Sequence, residues 1–261
     1  MAGNTAEPGA SVIARTARLL ATFDGEHPRL TLSEASARSG LSMTTTHRML
    51  SELVEAKLLS RGRDHRYSIG RALWELGEVS PLSLSLRETA LPYLLTLYEA
   101  TAENVHLAIL DGVEALYVAQ LVGPHSVPTI SRMGGRLPLH TTGVGKILLA
   151  WQDDDYLAAY FSRQLERPTR FSITSEPRLR AQLVEVRRNG YSQTHQEMTL
   201  GNTSMAVPVM GRNGPLAAVG LVTHTVRADA LRLVPVLQGA ASGMAASLLE
   251  LMDREGTDSL A

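Results

Sequence analysis

Between Gly40 and Gly70 the chain reads GLSMTTTHRMLSELVEAKLLSRGRDHRYSIG. Three consecutive threonines, a His-Arg pair and then Arg61, Arg63 and Arg66 gather short hydroxyls and guanidinium groups into one run. That mixture suits a nucleic acid: short hydroxyl side chains let a backbone approach a duplex, and a guanidinium reaches guanine O6 and N7 or a phosphate. The chemistry requires these groups on one face of a rigid element, and the periodicity predicts such an element. Thr31-Leu-Ser-Glu34 is a capping-box pattern, which opens a short helix from about Leu32 to Ser39. Gly40 supplies a permissive turn, and Ser42 caps a second helix from Met43 to about Ala56. Along it Thr46, Met49, Leu50 and Leu53 fall at i, i+3, i+4 and i+7 and face inward, which leaves Thr44, His47, Arg48 and Ser51 on the opposite face.

Two helices joined by a tight turn, the second with a polar and basic outer face, match a major-groove reader. After Leu58-Leu59, residues 60–69 read as a hairpin with a basic tip and an apolar return, a wing suited to the sugar-phosphate backbone. A lone helix with this face would also be compatible with plain solvation; the wing beside it argues for contact. The candidate DNA-contacting set is Met43, Thr44, Thr45, His47 and Arg48 on the helix with Arg61, Arg63 and Arg66 on the wing. Charge is distributed accordingly. The net charge is −1, yet residues 29–71 hold eight Lys or Arg against four acids, and residues 79–261 hold 15 against 17. A local basic excess is the footprint of one module meeting phosphates.

Other chemistry finds less support. Gly143-Val-Gly-Lys146 resembles a phosphate loop, but the first glycine of Gly-x4-Gly-Lys-Ser/Thr is replaced by His140 and the hydroxyl by Ile147. Asp153-Asp-Asp155 could ligate a hard cation, and three acids opening a helix also serve its cap and dipole. His140, His195 and His224 fall on separate segments without a paired zinc spacing, and Ser204 lacks a nucleophile-elbow context. We therefore expect no enzyme, no metal and no cofactor. The chain has no Cys, which excludes disulfides, thiolate metal sites and a Cys nucleophile.

At 261 residues with 44% hydrophobic and 20% charged residues, the composition fits two globular domains. MAGNTAEPGA has no basic-then-apolar targeting pattern. The longest uncharged run, Leu233 to Leu249, falls short of the roughly 20 apolar residues of a membrane span. The expectation is a soluble cytoplasmic protein with no membrane partner.

Gly70 to Gly77 reads as a short amphipathic helix and Glu78-Val-Ser-Pro81 as a break, which puts a boundary near residue 80. Beyond it, Ser83 to Glu99 has helical spacing. Val105 to Leu110 and Val113 to Leu121 form a hairpin about Asp111-Gly112. Val127 to Met133 suits another strand. Thr141 to Trp151, Asp153 to Phe161 and Glu176 to Asn189 read as helices. Met205 to Met210 and Leu216 to Thr223 form a second hairpin, and Ala228 to Met252 a long last helix, in which Gly239-Ala-Ala-Ser-Gly243 allows close packing on a neighbour. The fold class is α+β: an antiparallel sheet flanked by helices behind a winged helix-turn-helix.

The runs SVIARTARLLATF, LTLSEASARSGLSMTTTHRMLSELVEAKLL, YSIG and RALWELG, followed by GGRLPLHTTGVGKILLA, RRNGYSQTHQE and NTSMAVPVMGRNGPLAAVGL, resemble the IclR family of bacterial transcriptional regulators over nearly the whole chain. The resemblance implies a winged helix-turn-helix over residues 1–69, a linker helix over 70–80 and a GAF-like effector-binding domain over 81–261. It also implies an operator DNA partner, a small organic ligand and a homodimer or tetramer. The family's ligand-facing positions fall on Leu137, Gly143, Val144, Thr194, Ser204, Gly220 and Val222. Backbone N–H groups at Gly143 and Val144 suit an oxyanion. Thr194 stands where the family commonly has an acid and Ser204 where it commonly has Cys; Gly220 and Val222 replace positions that are serine in some members. These departures imply a less polar pocket, roomier on one wall, and a larger carboxylate or amide-like, even aromatic, ligand. The alternative is a DNA-binding or protein-interaction module with no metabolite.

Overall fold

The computed structural model describes residues 11–80, 86–123 and 127–256. The chain divides into two compact units, Met1–Ser80 and Pro81–Ala261.

In the first unit, helix α1 (Val12–Leu20) is followed by β1 (Arg29–Leu30), α2 (Leu32–Ser39), α3 (Met43–Glu55), β2 (Leu59–Arg61), β3 (Tyr67–Ile69) and α4 (Arg71–Glu78). Thr31 and Glu34 form the expected reciprocal capping box on α2, Gly40 takes φ 67°, and the Ser42 hydroxyl accepts from the Thr45 N–H. Thr46, Met49, Leu50 and Leu53 are the buried residues of α3 and pack with Leu19, Leu30, Leu41, Leu59 and Tyr67. The three short strands pair antiparallel in the order β1-β3-β2, so the wing is stitched to the segment before α2.

The second unit contains α5 (Glu88–Thr101), β4 (Asn104–Asp111), β5 (Glu114–Leu121), β6 (Arg136–Pro138), α6 (Gly143–Ala150), α7 (Asp154–Phe161), α8 (Glu176–Asn189), β7 (Ser192–His195), β8 (Asn202–Met210), β9 (Pro215–His224) and α9 (Ala230–Glu255). Its six antiparallel strands run β6-β5-β4-β9-β8-β7. One core lies between the sheet, α5 and α9, and a second is built from α6, α7, α8 and the other sheet face. On that second face Ala108, Ala206, Ala218 and Gly220 keep the sheet low, and α6, apolar except for Lys146, is buried along its whole length. Asp153 caps α7, accepting from the Tyr156 N–H at 2.8 Å, which accounts for the first acid of the Asp triplet. Gly243 is the close-packing position anticipated in α9: a Cβ there would sit 2.4 Å from the Tyr93 ring.

Several expectations need correction. The first hairpin loop is Gly112-Val113, because Asp111 pairs with Glu114; only Gly112 takes a positive φ there, 58°. Residues 127–133 are not a strand. Pro128 interrupts the run, and the carbonyls of Val127 and Pro128 accept from the Asn104 and Asn202 side-chain amides rather than from a ladder. The strand lies later, at β6, and β7 also escaped the pattern reading. The start of the Ser83–Glu99 helix lies outside the described residues up to 85. Helix α9 extends past the expected Met252, and by length and composition it could cross a membrane. Leu233, Leu237, Met244 and Leu248 are instead buried in the first core, the place of a core helix.

Candidate functional site

On the first unit, Met43, Thr44, His47 and Arg48 are exposed along α3. Thr45 is half-buried, and its hydroxyl accepts from Ser42 Oγ at 2.9 Å. Arg48 makes an i, i+4 pair with Glu52 at 3.1 Å, exposed on both sides and easily exchanged for another acceptor. The three wing arginines are not equivalent. Arg61 lies 5.4 Å over the Tyr67 ring. Arg66 reaches back to Glu34 at 3.0 Å, bracing the wing against the capping box of α2, and Arg29 similarly holds Asp64 at 3.0 Å. Arg63 is exposed and pairs with no acid among the described residues. Sequence reading placed all three wing arginines on one footing and missed Arg29, since the β1–β3 pairing that brings it to the wing is nonlocal.

On the second unit, the seven positions Leu137, Gly143, Val144, Thr194, Ser204, Gly220 and Val222 all line one cavity. They arrive there from β6, the N-terminus of α6, β7, β8 and β9. Residues 129–131 close one side, and Tyr117, His106, Met198 and Met205 complete the walls. The first turn of α6 is largely spoken for. Ser204 Oγ accepts from the Gly143 N–H at 3.0 Å, Thr142 Oγ1 accepts from the Gly145 N–H at 3.1 Å, and Thr142 O accepts from the Lys146 N–H. The Val144 N–H finds no acceptor among the described residues. Of the two donors anticipated at the helix start, Gly143 is therefore committed within the fold and Val144 is open. Thr194 Oγ1 and Ser204 Oγ lie 2.6 Å apart; each hydroxyl has one proton, so one bond between them leaves one proton to offer.

The expected roominess at Gly220 is absent. A Cβ there would lie 2.8 Å from Met205 O, 3.0 Å from the Ala206 Cβ and 3.1 Å from a Val144 methyl. Glycine at this position serves the close approach of α6 to the sheet, and widening the ligand space is not its role.

Two features went unread in the sequence. Lys146 is wholly buried, and its Nζ donates to both Glu197 carboxylate oxygens at 2.6 and 2.8 Å and to Gln182 Oε1 at 2.7 Å. Burial pulls the Lys146 ammonium below its ordinary range, and the Glu197 carboxylate opposes that shift. Glu197 also borders the cavity, which thus has an acid on its wall whose charge is already matched. A single lysine inside the apolar run GVGKILLA signals a buried charge, but nothing local identifies a partner 51 residues away. The second feature is His106, buried on β4, its pKa lowered to about 4 by desolvation, so the imidazole is neutral at pH 7. The three histidines weighed as zinc ligands are engaged separately. His140 bonds Tyr160 Oη and Glu166 O at 2.8 Å each, His195 lies 3.4 Å from Thr203 Oγ1, and His224 accepts from the Val226 N–H.

A winged helix-turn-helix with an exposed hydroxyl and guanidinium face, carried on one chain with a helix-flanked antiparallel sheet enclosing a cavity, defines the class of two-part DNA-binding transcriptional regulators. A family model described as the IclR helix-turn-helix domain matches residues 12–63, and one described as bacterial transcriptional regulator IclR C-terminal matches residues 81–246. The chain belongs to the IclR family of bacterial transcriptional regulators. It is 31% identical over 220 residues to the regulator XynR of Escherichia coli K12, covering 83% of this chain and 87% of that protein. It is 30% identical over 230 residues to KdgR of the same organism, covering 86% and 88%. Among solved structures, an IclR homologue from Microbacterium hydrocarbonoxydans complexed with 4-hydroxybenzoate superposes with a TM-score of 0.87 at 30% identity, covering 91% of this chain and 99% of that one. These relatives are transcriptional regulators, which agrees with the lack of catalytic spacing in the sequence.

Proposed function

We propose that this regulator reads its operator through α3 and the wing and that a small organic ligand in the cavity changes its affinity for DNA. The observation that carries the ligand half is the convergence of seven positions from five elements on one chiefly apolar cavity with a few polar groups. Its apolar walls, the open Val144 N–H at a helix N-terminus and the spare hydroxyl proton favour a mostly apolar molecule with one carboxylate or amide head. Neither nearby cation is available to such a head: Lys146 is matched by Glu197, and His106 is neutral. The 4-hydroxybenzoate complex of the Microbacterium homologue supports an aromatic member of that class.

On DNA, Arg48 is proposed to read base edges and Arg63 to meet phosphate, with Arg61 beside it. Arg66 positions the wing through Glu34. One winged helix covers only about 600–1,000 Å² of duplex, so two copies on a pseudo-palindrome are proposed. Val12, Ile13, Trp74 and Leu76 are the exposed apolar residues of α1 and α4 that fit a two-fold contact. Leu19 of α1 is not part of that surface, because it belongs to the unit's own core. Sedimentation of the full chain at micromolar concentration tests the dimer, and a monomer with and without DNA rejects it.

The ligand reading is tested by a thermal-shift screen of carboxylates and amides on the full chain, followed by DNA titrations with and without each ligand found. A ligand shifts DNA binding only by its differential affinity for two conformations. Leu137→Trp, which fills the cavity from the rim strand, is expected to abolish the shift and leave ligand-free DNA binding unchanged. An undiminished response in that variant moves the site elsewhere.

A further inference from the structure

The cavity carries polar groups at two ends, one with hydrogen-bond donors to offer and the other with a free acceptor. The end at α6 donates, through the Val144 N–H and the hydroxyl proton left over by Thr194 and Ser204. The other end lies on β4, β5 and the 127–133 segment, where His106 Nε2 stands 3.0 Å from Ser131 Oγ and 3.3 Å from Gln120 Nε2. A serine oxygen carries one proton and two lone pairs. Whichever way the Ser131–His106 bond runs, an acceptor site remains on Ser131 Oγ. Burial keeps the imidazole neutral, so this end has no cation to hold a carboxylate.

The spacing of the ends follows from sheet register. Ser204 pairs with Val222, Val222 pairs with Asn104, and His106 is two residues further along β4. Two strand spacings across and two residues along place the Cα atoms of Ser204 and His106 about 12 Å apart. Both residues lie on the same face of the sheet and border the same cavity, so their side chains stand side by side at about that separation. That is about the reach of a single ring with substituents on opposite carbons and a hydrogen bond at each end. Val222 and Leu137 furnish apolar walls between the ends, and the Tyr117 ring stands edge-on to His106 at 5.4 Å and 85°.

We infer that the cavity holds a flat ring in one orientation, an oxyanion or amide head on Val144 and the Ser204–Thr194 hydroxyls, and a hydroxyl at the opposite ring position donating to Ser131 beside His106. The inference rests on the ligand reading above and adds to it a second recognition site, with Ser131 and His106 as specificity-determining residues. A site built to receive a hydroxyl discriminates strongly against the analogue lacking it, because its buried acceptor is then left unpaired.

The test is calorimetric titration of the full-length protein with 4-hydroxybenzoate, 3-hydroxybenzoate and benzoate. Wild type is expected to bind the 4-hydroxy compound at least about tenfold more tightly than the other two. Ser131→Ala, a change on the segment covering the cavity, is expected to shrink that preference severalfold, by weakening the 4-hydroxy compound and relieving the unpaired acceptor that disfavours benzoate. His106→Gln, which keeps a polar group, is the second variant. Equal binding of 4-hydroxybenzoate and benzoate by wild type overturns the inference and leaves the cavity reading intact, as does an undiminished preference in both variants. Binding of none of the three overturns it too, and the cavity reading is then judged by whether Leu137→Trp abolishes binding of other ligands from the screen. Tight 4-hydroxybenzoate binding that Leu137→Trp leaves unchanged overturns both.

Discussion

The surface of α3 and the wing and the cavity beneath α6 are built on opposite principles. The first is a contiguous stretch of about thirty residues whose functional side chains stand in water, where partners such as Glu52 are weakly held and readily exchanged. The second is assembled by sheet register from segments far apart in the chain, and most of its polar groups are buried and already bonded to one another. A residue of the first kind can change with little effect on folding. A residue of the second kind is at once part of the site and part of what holds the domain together.

The sharpest way to break that contrast is at Glu197. Removing its charge leaves the Lys146 ammonium buried without a counter-charge, and Glu197→Gln is expected to destabilise the protein by about 3–5 kcal/mol in urea unfolding. Joint replacement by Lys146→Met and Glu197→Leu should recover most of the loss. A single variant as stable as wild type would mean that the pair is not held as tightly as its geometry indicates.

Next in size is a pH effect at His106. Its folded-state pKa of about 4 lies below the ordinary 6.5, so the unfolded chain takes up the proton first. The associated stability is complete above pH 6.5 and is lost as pH falls toward 4, on the order of 3 kcal/mol at 1.36 kcal/mol per pKa unit. Unfolding curves at pH 7 and pH 4.5 for wild type and His106→Gln measure it as the difference between the two acid losses. Parallel losses would show that His106 titrates normally.

The exposed surface should behave otherwise. Arg48→Ala is expected to cost about 1–3 kcal/mol in specific operator binding with the melting temperature unchanged. The smallest effect is predicted for the wing: Arg63→Ala should weaken all duplexes alike and reduce the salt slope by about one. Arg66→Ala should add to this a slight destabilisation, because it releases Glu34. Loss of sequence preference in Arg63→Ala, or its retention in Arg48→Ala, would reverse the assigned roles; duplex titrations at several salt concentrations decide it.

The same contrast governs what could be read before the fold was known. Helices α2 and α3 followed from signals a few residues apart, Thr31 with Glu34 and the i, i+3, i+4 series ending at Leu53. The seven cavity positions came from family resemblance, since the sequence pattern pairs β8 with β9 as a hairpin but says nothing that brings β6, α6 and β7 to them. Residues 127–133 misled because their apolar content suits a strand, whereas their carbonyls bond to Asn104 and Asn202 from elsewhere in the sheet. Gly220 was misread as space because a missing side chain looks the same in sequence whether it leaves a void or admits a neighbouring helix. Arg66 was grouped with the free wing cations and Lys146 went unread, because the acids that engage them lie 32 and 51 residues away.

The buried Lys146–Glu197 pair also sets the terms on which this regulator could be retuned as a biosensor. Glu197 borders the cavity and would be an obvious position to randomise for a new ligand, yet single-site libraries there would consist mostly of clones that fail to accumulate. Only libraries that vary Glu197 and Lys146 together can cross that gap. Variation at Ser131, Leu137 or Val222 avoids that step, since all three border the cavity and none belongs to the ion pair.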